Sequence, residues 1–141
     1  MNLFNDNEKI VIYTDGGARG NPGPAAIGVI IGNKKYSKYL GIKTNNEAEY
    51  EAIIFALKKA KQLIGKLKAK KTEIEIKMDS ELVCKQLNAQ YKIKEPHLFP
   101  LFIEIWNLKM DFKKVFFNYI PREKNFEADK LVNQELNNLK K

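Results

Sequence analysis

The fold of this chain is decided by the stretch Ile10-Val11-Ile12-Tyr13-Thr14-Asp15-Gly16-Gly17. Its four apolar residues are typical of a buried strand, and they run directly into one carboxylate and a pair of glycines. A carboxylate beside buried backbone loses hydration, so a partner, hydrogen bonds or a metal ion must offset that cost. Asp15 therefore needs a role, and its partners must come from elsewhere in the chain.

Composition narrows the class of protein. The 141 residues are 44% hydrophobic, which suffices for one domain covering residues 1–141. The single Cys84 excludes an internal disulfide, and no apolar run could span a bilayer, so we expect a cytoplasmic monomer with no membrane partner. The net charge of +8 favours a polyanionic partner such as nucleic acid, although many basic proteins are merely soluble. With arginine only at 19 and 122, contacts to phosphates and sugars are favoured over base edges.

The patterning predicts alternating strands and helices. Strands are expected at 9–15, 26–32, 36–42, 74–78 and 115–120, and helices at 46–64, 80–87, 97–112 and 125–139. We expect Asn45 or Asn46 to cap the first long helix and Gly65 to end it, followed by a lysine-rich loop at 66–71. Short links make the first three strands antiparallel neighbours. The order βββαβααβα describes a mixed sheet with helices on its faces, an α/β fold.

Three glutamates near the start of the first helix point in different directions. At about 100° per residue, Glu49 shares a stripe with the apolar residues of the helix, while Glu47 and Glu51 point to nearly the opposite side. The outer pair suits a favourable interaction with the helix N-terminus. Glu49 is aimed at the sheet.

Two further aspartates are candidates. Asp79 ends a strand as Asp15 does, and two strand ends on one edge of a sheet can bring carboxylates together; alternatively, Asp79 or Ser80 simply caps the next helix. Asp129 flanks the apolar stripe of the last helix, where a solvated charge is the ordinary interpretation. Its case depends on the other three acids.

Convergence of Asp15, Glu49, Asp79 and Asp129 would raise the pKa of some of them unless cations lie between them. Oxygen ligands with room for water suit Mg²⁺ or Mn²⁺, and two such ions about 4 Å apart can hydrolyse a phosphodiester without a protein nucleophile. A chain with one histidine and one cysteine is a poor candidate for Ser/His or Cys/His catalysis or for a zinc site. The segment 20–23 lacks a phosphate-loop lysine pattern, so we interpret it as a turn.

Four blocks of sequence carry a resemblance to a known family. Residues 13–24 (YTDGGARGNPGP), 44–50 (TNNEAEY), 79–83 (DSELV) and 121–129 (PREKNFEAD) together resemble type 1 ribonuclease H over almost the whole chain. The resemblance implies a ribonuclease H-like fold, with a five-stranded mixed sheet whose first three strands are antiparallel and helices on both faces. It also implies hydrolysis of the RNA strand of RNA/DNA hybrids to 5′-phosphate products. The metal-binding carboxylates of the family match Asp15, Glu49, Asp79 and Asp129.

The same resemblance implies substrate contacts. The positions that contact the hybrid's backbone and 2′-hydroxyls match Gly16, Gly17, Asn21, Asn45 and Asn46, and Thr44 matches a position that helps to hold a phosphate of the DNA strand. The 2′-hydroxyl separates RNA from DNA, so these contacts imply choice of strand without choice of sequence.

The chain departs from the family pattern in three places. Many members have a histidine in the loop before the last helix, whereas residues 121–125 contain none; Arg122 could engage a phosphate there, and a solvated loop cation is slightly favoured. The long basic insertion of some members is missing, because only residues 88–96 separate the middle helices. Nor do we expect a separate hybrid-binding domain. We therefore expect weaker hybrid affinity and a shallower salt dependence than in larger relatives.

Three hypotheses follow. The first is a metal-dependent endonuclease that cuts the RNA strand of RNA/DNA hybrids with two Mg²⁺ ions, or Mn²⁺. The second is a ribonuclease of the same fold that also cuts double-stranded RNA or RNA-DNA junctions. The third is a catalytically silent nucleic-acid-binding module, which would have no use for four buried acids.

Overall fold

The chain folds around one five-stranded sheet in a computed structural model that describes residues 9–139. The strands are β1 (Lys9–Ala18), β2 (Gly23–Ile31), β3 (Lys34–Lys43), β4 (Glu73–Met78) and β5 (Lys114–Tyr119). The helices are α1 (Asn45–Ile64), α2 (Lys66–Ala69), α3 (Glu81–Leu87), α4 (Phe99–Lys109) and α5 (Phe126–Asn138), with 3₁₀ turns at Pro96–Leu98 and Arg122–Lys124.

The sheet has the strand order β3-β2-β1-β4-β5. The pairs β1/β2 and β2/β3 are antiparallel, whereas β1/β4 and β4/β5 are parallel, which confirms the predicted mixed sheet with three antiparallel strands first. Because β1 and β4 run in the same direction, their C-terminal ends open on the same edge. The pairing of β1 with β4 ends at Tyr13 and Lys77, and an aspartate follows shortly after it on each side, Asp15 and Asp79.

Helices cover both faces of the sheet. On one face, α1 contributes Tyr50, Ile53 and Leu57 to a buried cluster with alternate strand residues such as Ile12 and Ile76. On the other face, α5 packs Val132 and Leu136 against Ala26 of β2. Among residues 9–139, no helix is long and apolar enough to cross a membrane.

The start of α1 corrects one expectation. Thr44, and not Asn45 or Asn46, is the N-cap: its hydroxyl accepts a hydrogen bond from the Glu47 N–H (3.1 Å), and the Glu47 carboxylate accepts one from the Thr44 N–H (2.8 Å). This reciprocal pair is a capping box, which satisfies donors that a helix start leaves open. The helix ends at Gly65, as predicted, where φ is +87°.

Other boundaries also differ from the predicted ones. Strand β1 continues through the expected turn to Ala18, because its antiparallel pairing with β2 extends to the Ala18–Ala25 pair. The lysine-rich segment 66–71 contains the short helix α2, and the predicted helix 97–112 is divided into a 3₁₀ turn and α4. Aromatic residues on a helix usually fill the core, but Phe99 and Trp106 of α4 are 47% and 55% exposed.

Candidate active site

Three carboxylates meet at the edge where β1 and β4 end. Asp15 comes from β1, Asp79 follows β4, and Glu49 comes from the first turns of α1. One oxygen of each lies within 4.8 Å of the other two. Asp15 and Glu49 are buried, and the side chain of Asp79 is 5% exposed. Glu49 therefore points to the sheet as its helical position predicts, while Glu47 takes part in the capping box.

Glycine lets α1 and β1 approach closely enough to bring Glu49 to Asp15. A Cβ on Gly16 would overlap the backbone carbonyl of Ala48, the residue before Glu49. The Gly16 N–H also donates a hydrogen bond to the Glu49 carboxylate. Gly16 thus sets the distance between helix and strand, and its direct contact with substrate stays a prediction.

Asp129 lies next to Asp15 but outside the group of three. It is half-buried on α5, and its carboxyl group and that of Asp15 are close enough to share a hydrogen bond. Asn133, one helical turn later, donates from Nδ2 to Asp129 Oδ2 (3.3 Å) and to the Asp129 carbonyl (3.1 Å). Arg19 in turn donates to Asn133 Oδ1 (3.3 Å), so it holds the Asn133 amide nitrogen towards Asp129.

The acids disturb one another electrostatically. Burial, together with the charges of Asp79 and Asp129, raises the pKa of Asp15 from 3.8 to about 8. Burial and the charges of Asp15 and Asp79 raise the pKa of Glu49 well above its usual value, although the Gly16 N–H opposes that shift. Both shifts have the same cause: negative charge is crowded where water is scarce. Bound protons or cations would reduce this repulsion between the carboxylates.

Asp79 is held by a residue that the sequence did not single out. Asn125 is buried, and its Nδ2 donates to the Thr14 carbonyl (2.9 Å) and to Asp79 Oδ1 (3.4 Å). Ser80, and not Asp79, caps α3 by accepting from the Val83 N–H (3.2 Å). The Asp79 carboxylate is therefore not consumed by a helix cap.

Arg122 supplies the cation that faces the site from the loop before α5. Its Nε lies 3.7 Å from Asp79 Oδ2, while its side chain is 85% exposed. An ion pair this long and this exposed contributes little to stability. Arg122 is accordingly an exposed cation beside Asp79, and its contact with a phosphate stays a prediction.

The donor set fits a hard divalent cation. Asp15, Glu49 and Asp79 offer only carboxylate oxygens, and neither His97 nor Cys84 lies among them. Oxygen ligands of this kind suit Mg²⁺ or Mn²⁺ rather than zinc or copper. The raised pKa of Asp15 and of Glu49 shows that positive charge would be stabilised between them.

The predicted substrate residues form a rim beside the acids. Asn21 Oδ1 accepts from the Asn45 N–H (2.9 Å), and Asn45 Oδ1 accepts from the Ala18 N–H (3.0 Å), which ties the β1–β2 turn to the start of α1. Asn46 Nδ2 donates to Glu95 Oε1 (3.1 Å). Thr44 is engaged in the helix cap. A Cβ on Gly17 would meet Val132 Cγ1 at 3.5 Å, an ordinary contact.

Sequence reasoning did not identify several residues that shape the site: Gly28, Glu95, Asn125 and Asn133. One signal was available, since a glycine inside an apolar strand indicates close approach of another backbone. A Cβ on Gly28 would overlap the Ala128 carbonyl, so this glycine brings α5 down to the sheet next to Asp129. The other three are polar loop or helix residues with long-range partners, and no local pattern reveals such contacts.

A mixed sheet that collects carboxylates from two parallel strand ends and two helices defines a ribonuclease H-like fold. The family described as "Reverse transcriptase-like" matches residues 13–135. LC11-RNase H1, isolated from compost by a metagenomic approach, superposes with a TM-score of 0.87 at 48% identity, covering 95% of this chain and 99% of that one. A structure of LC11-RNase H1 in complex with an RNA/DNA hybrid matches with a TM-score of 0.83, at 50% identity, over 89% of this chain and 94% of that one.

Curated relatives also match most of this chain in sequence. "Bifunctional protein Rv2228c" of Mycobacterium tuberculosis is 36% identical over 135 residues, which are 91% of this chain and 35% of that protein. "Ribonuclease HI" of Halobacterium salinarum is 34% identical, over 91% of this chain and 64% of that protein. The chain thus spans about a third of the length of Rv2228c. It belongs to the type 1 ribonuclease H family.

Proposed function

We propose that this protein is a metal-dependent endonuclease that hydrolyses the RNA strand of RNA/DNA hybrids. The observation that carries the proposal is the group of three buried carboxylates within 4.8 Å of one another, with the pKa of Asp15 raised to about 8. A cluster so costly to bury is expected where function requires it. The hybrid complex of LC11-RNase H1 at 50% identity supports the choice of substrate.

Asp15, Glu49 and Asp79 would hold one divalent cation, and Asp15 with Asp129 a second, with Mg²⁺ as the expected ion and Mn²⁺ as a substitute. Two cations bound there would supply the charge that activates a water molecule and neutralises the leaving oxygen. Asp15 would be the shared ligand, because its carboxyl group neighbours that of Asp129 as well as those of the other two acids.

The other residues of the site orient these acids and the substrate. Asn125 keeps the Asp79 carboxylate facing the site, and the Arg19–Asn133 pair does the same for Asp129. Arg122 lies where it can meet a phosphate next to Asp79. A lone exposed cation can attract a backbone phosphate without reading a base, which agrees with cleavage independent of sequence.

Recognition of the RNA strand is proposed for the asparagine rim. This rim has two parts: Asn21 lies in the β1–β2 turn, and Asn45 and Asn46 begin α1, shortly before Glu49 in the chain. Amide groups can bond the minor-groove edges and the 2′-hydroxyls, which distinguish an RNA strand from a DNA strand.

The test is a parallel assay of labelled RNA/DNA, RNA/RNA and DNA/DNA duplexes with Mg²⁺, Mn²⁺ or EDTA. We expect cleavage of the hybrid's RNA strand with either metal and none in EDTA. Comparable cleavage of RNA/RNA would favour the broader ribonuclease of the same fold. An intact hybrid in both metals, alongside cleavage by a control ribonuclease H, would overturn the proposal.

A further inference from the structure

The carboxamides of the rim are not free to rotate. Backbone N–H groups only donate, so Asn21 and Asn45, which accept from Asn45 N–H and Ala18 N–H, must each turn their Oδ1 inward. Both residues are exposed, and each is left with its NH₂ group for a ligand. These two positions therefore offer hydrogen-bond donors.

Asn46 is turned the other way. A carboxylate only accepts, so the 3.1 Å contact to Glu95 Oε1 requires Nδ2 of Asn46 to face Glu95. Its Oδ1 accepts no hydrogen bond from any of residues 9–139. Within the rim, Asn46 thus offers an acceptor where its two neighbours offer donors.

Glu95 is itself held in place. Its other oxygen lies 3.3 Å from His97 Nε2, and its backbone carbonyl accepts a hydrogen bond from the Leu98 N–H (3.0 Å). Leu98 is fully buried in the core, which anchors this end of the loop. The backbone of Glu95 is therefore anchored by the core, and the residue lies outside the sequence blocks that carry the family resemblance.

We propose that Glu95 is a positioning residue for strand recognition: it fixes the Asn46 carboxamide with Oδ1 towards the nucleic acid, as the acceptor for a 2′-hydroxyl. This rests on the proposed function. The sugar–phosphate backbone of DNA offers acceptors only, whereas the 2′-hydroxyl of RNA can donate. A fixed acceptor at Asn46 discriminates between the strands, because a reversed amide would present a donor that both strands can bond.

The test measures binding without divalent cation, so that cleavage plays no part. A series of hybrids is used, each with one 2′-O-methyl group at a different position of the RNA, because the methyl group removes the hydroxyl donor. The affinity for each hybrid is measured by fluorescence anisotropy. In the wild type we expect a loss of about threefold to tenfold at one position, the magnitude of one hydrogen bond. In Glu95→Ala and in Asn46→Ala that positional loss should shrink to near nothing.

Controls separate orientation from charge. Glu51→Ala removes the same charge from the side of α1 opposite Glu49, and should tighten binding to all hybrids slightly while keeping the positional loss. Glu95→Gln can still accept a hydrogen bond from Asn46 Nδ2 and should keep most of the positional loss. The double variant Glu95→Ala/Asn46→Ala should show the same positional loss as Asn46→Ala alone.

A positional loss that persists in Glu95→Ala but disappears in Asn46→Ala would overturn the inference, as would its absence in the wild type. The proposed function is judged separately. If the positional loss behaves as expected while no duplex is cleaved with Mg²⁺ or Mn²⁺, then the positioning role stands and the nuclease proposal fails.

Discussion

Asp15 and Gly28 lie directly opposite each other across the β1–β2 ladder. The missing side chain at Gly28 lets the Ala128 carbonyl of α5 reach the sheet, where a Cβ would overlap it and come within 2.9 Å of Leu131 Cβ. Asp129 follows Ala128 in the chain. The spacing between the Asp15 and Asp129 carboxyl groups is thus set by the backbone residue opposite one of them.

Gly28→Ala should therefore lower both stability and activity. Overpacking of a core contact costs about 1–3 kcal/mol, and relief by movement of α5 would carry Asp129 away from Asp15. Thermal unfolding and single-turnover cleavage measure the two effects. Gly17→Ala is the stability control, because its added Cβ meets nothing closer than 3.5 Å. Equal melting temperatures for Gly28→Ala and the wild type would show that α5 does not press on this position.

Asp79→Asn should abolish most cleavage while raising the melting temperature of the metal-free protein. Its negative charge helps to raise the pKa of Asp15 and of Glu49, so removing it relieves repulsion. A metal ligand stabilises the transition state by several kcal/mol, so its loss should lower the rate about a thousandfold. Differential scanning fluorimetry in EDTA and a hybrid cleavage assay test both parts. Glu51→Gln should leave both measurements near wild type.

In EDTA, the free energy of unfolding should fall as pH rises from 3.8 towards about 8 because of Asp15. Its pKa is raised in the folded state, so its stabilising contribution is complete below the unfolded pKa and is lost as the folded group ionises. Urea titrations of the wild type and Asp15→Asn across this range isolate the effect as the difference between the two proteins, since the variant keeps only the decline due to the raised pKa of Glu49. Mg²⁺ should restore wild-type stability at the alkaline end. A constant difference between the two proteins would refute the assignment.

Asn133→Ala should reduce kcat by about threefold to tenfold, the worth of one hydrogen bond, with little change in KM. It acts through Asp129 and not on the substrate. Alanine favours an exposed helix more than asparagine does, so the variant should not be less stable, and a loss of activity would not reflect unfolding. Gln134→Ala, the neighbouring exposed change, should leave kcat unaltered. Arg19→Ala should lower kcat in the same direction but less, because Asn133 remains.

The sequence predicted those parts of the structure that depend on periodicity. Strand alternation and the 100° helical repeat placed Glu49 against the sheet, and the structure has it buried. The resemblance supplied the five-stranded mixed sheet with three antiparallel strands first, whereas the strand order β3-β2-β1-β4-β5 came from the structure alone. The T-x-x-E spacing of Thr44 and Glu47 would have indicated the true N-cap, but two adjacent asparagines, which are equally good caps, obscured it.

Long-range contacts were beyond sequence reasoning. Glu95 bonds Asn46 across 49 residues, and Asn125 bonds Thr14 across 111. Nothing in the neighbouring residues distinguishes these polar side chains from ordinary loop residues. The exposure of Trp106 has another explanation: apolar residues on a helix need not be buried, because much of any protein surface is apolar.

The capping box of α1 has a consequence for engineering. Thr44 and Glu47 stabilise the helix start on which Asn45 and Asn46 sit, so substitutions in this segment made to alter strand preference also risk unravelling the first turn. Selection for new specificity would therefore recover few variants here. Glu95 lies outside that turn and makes no helix cap hydrogen bond with its side chain, so libraries directed at position 95 can vary preference at low cost in folding yield.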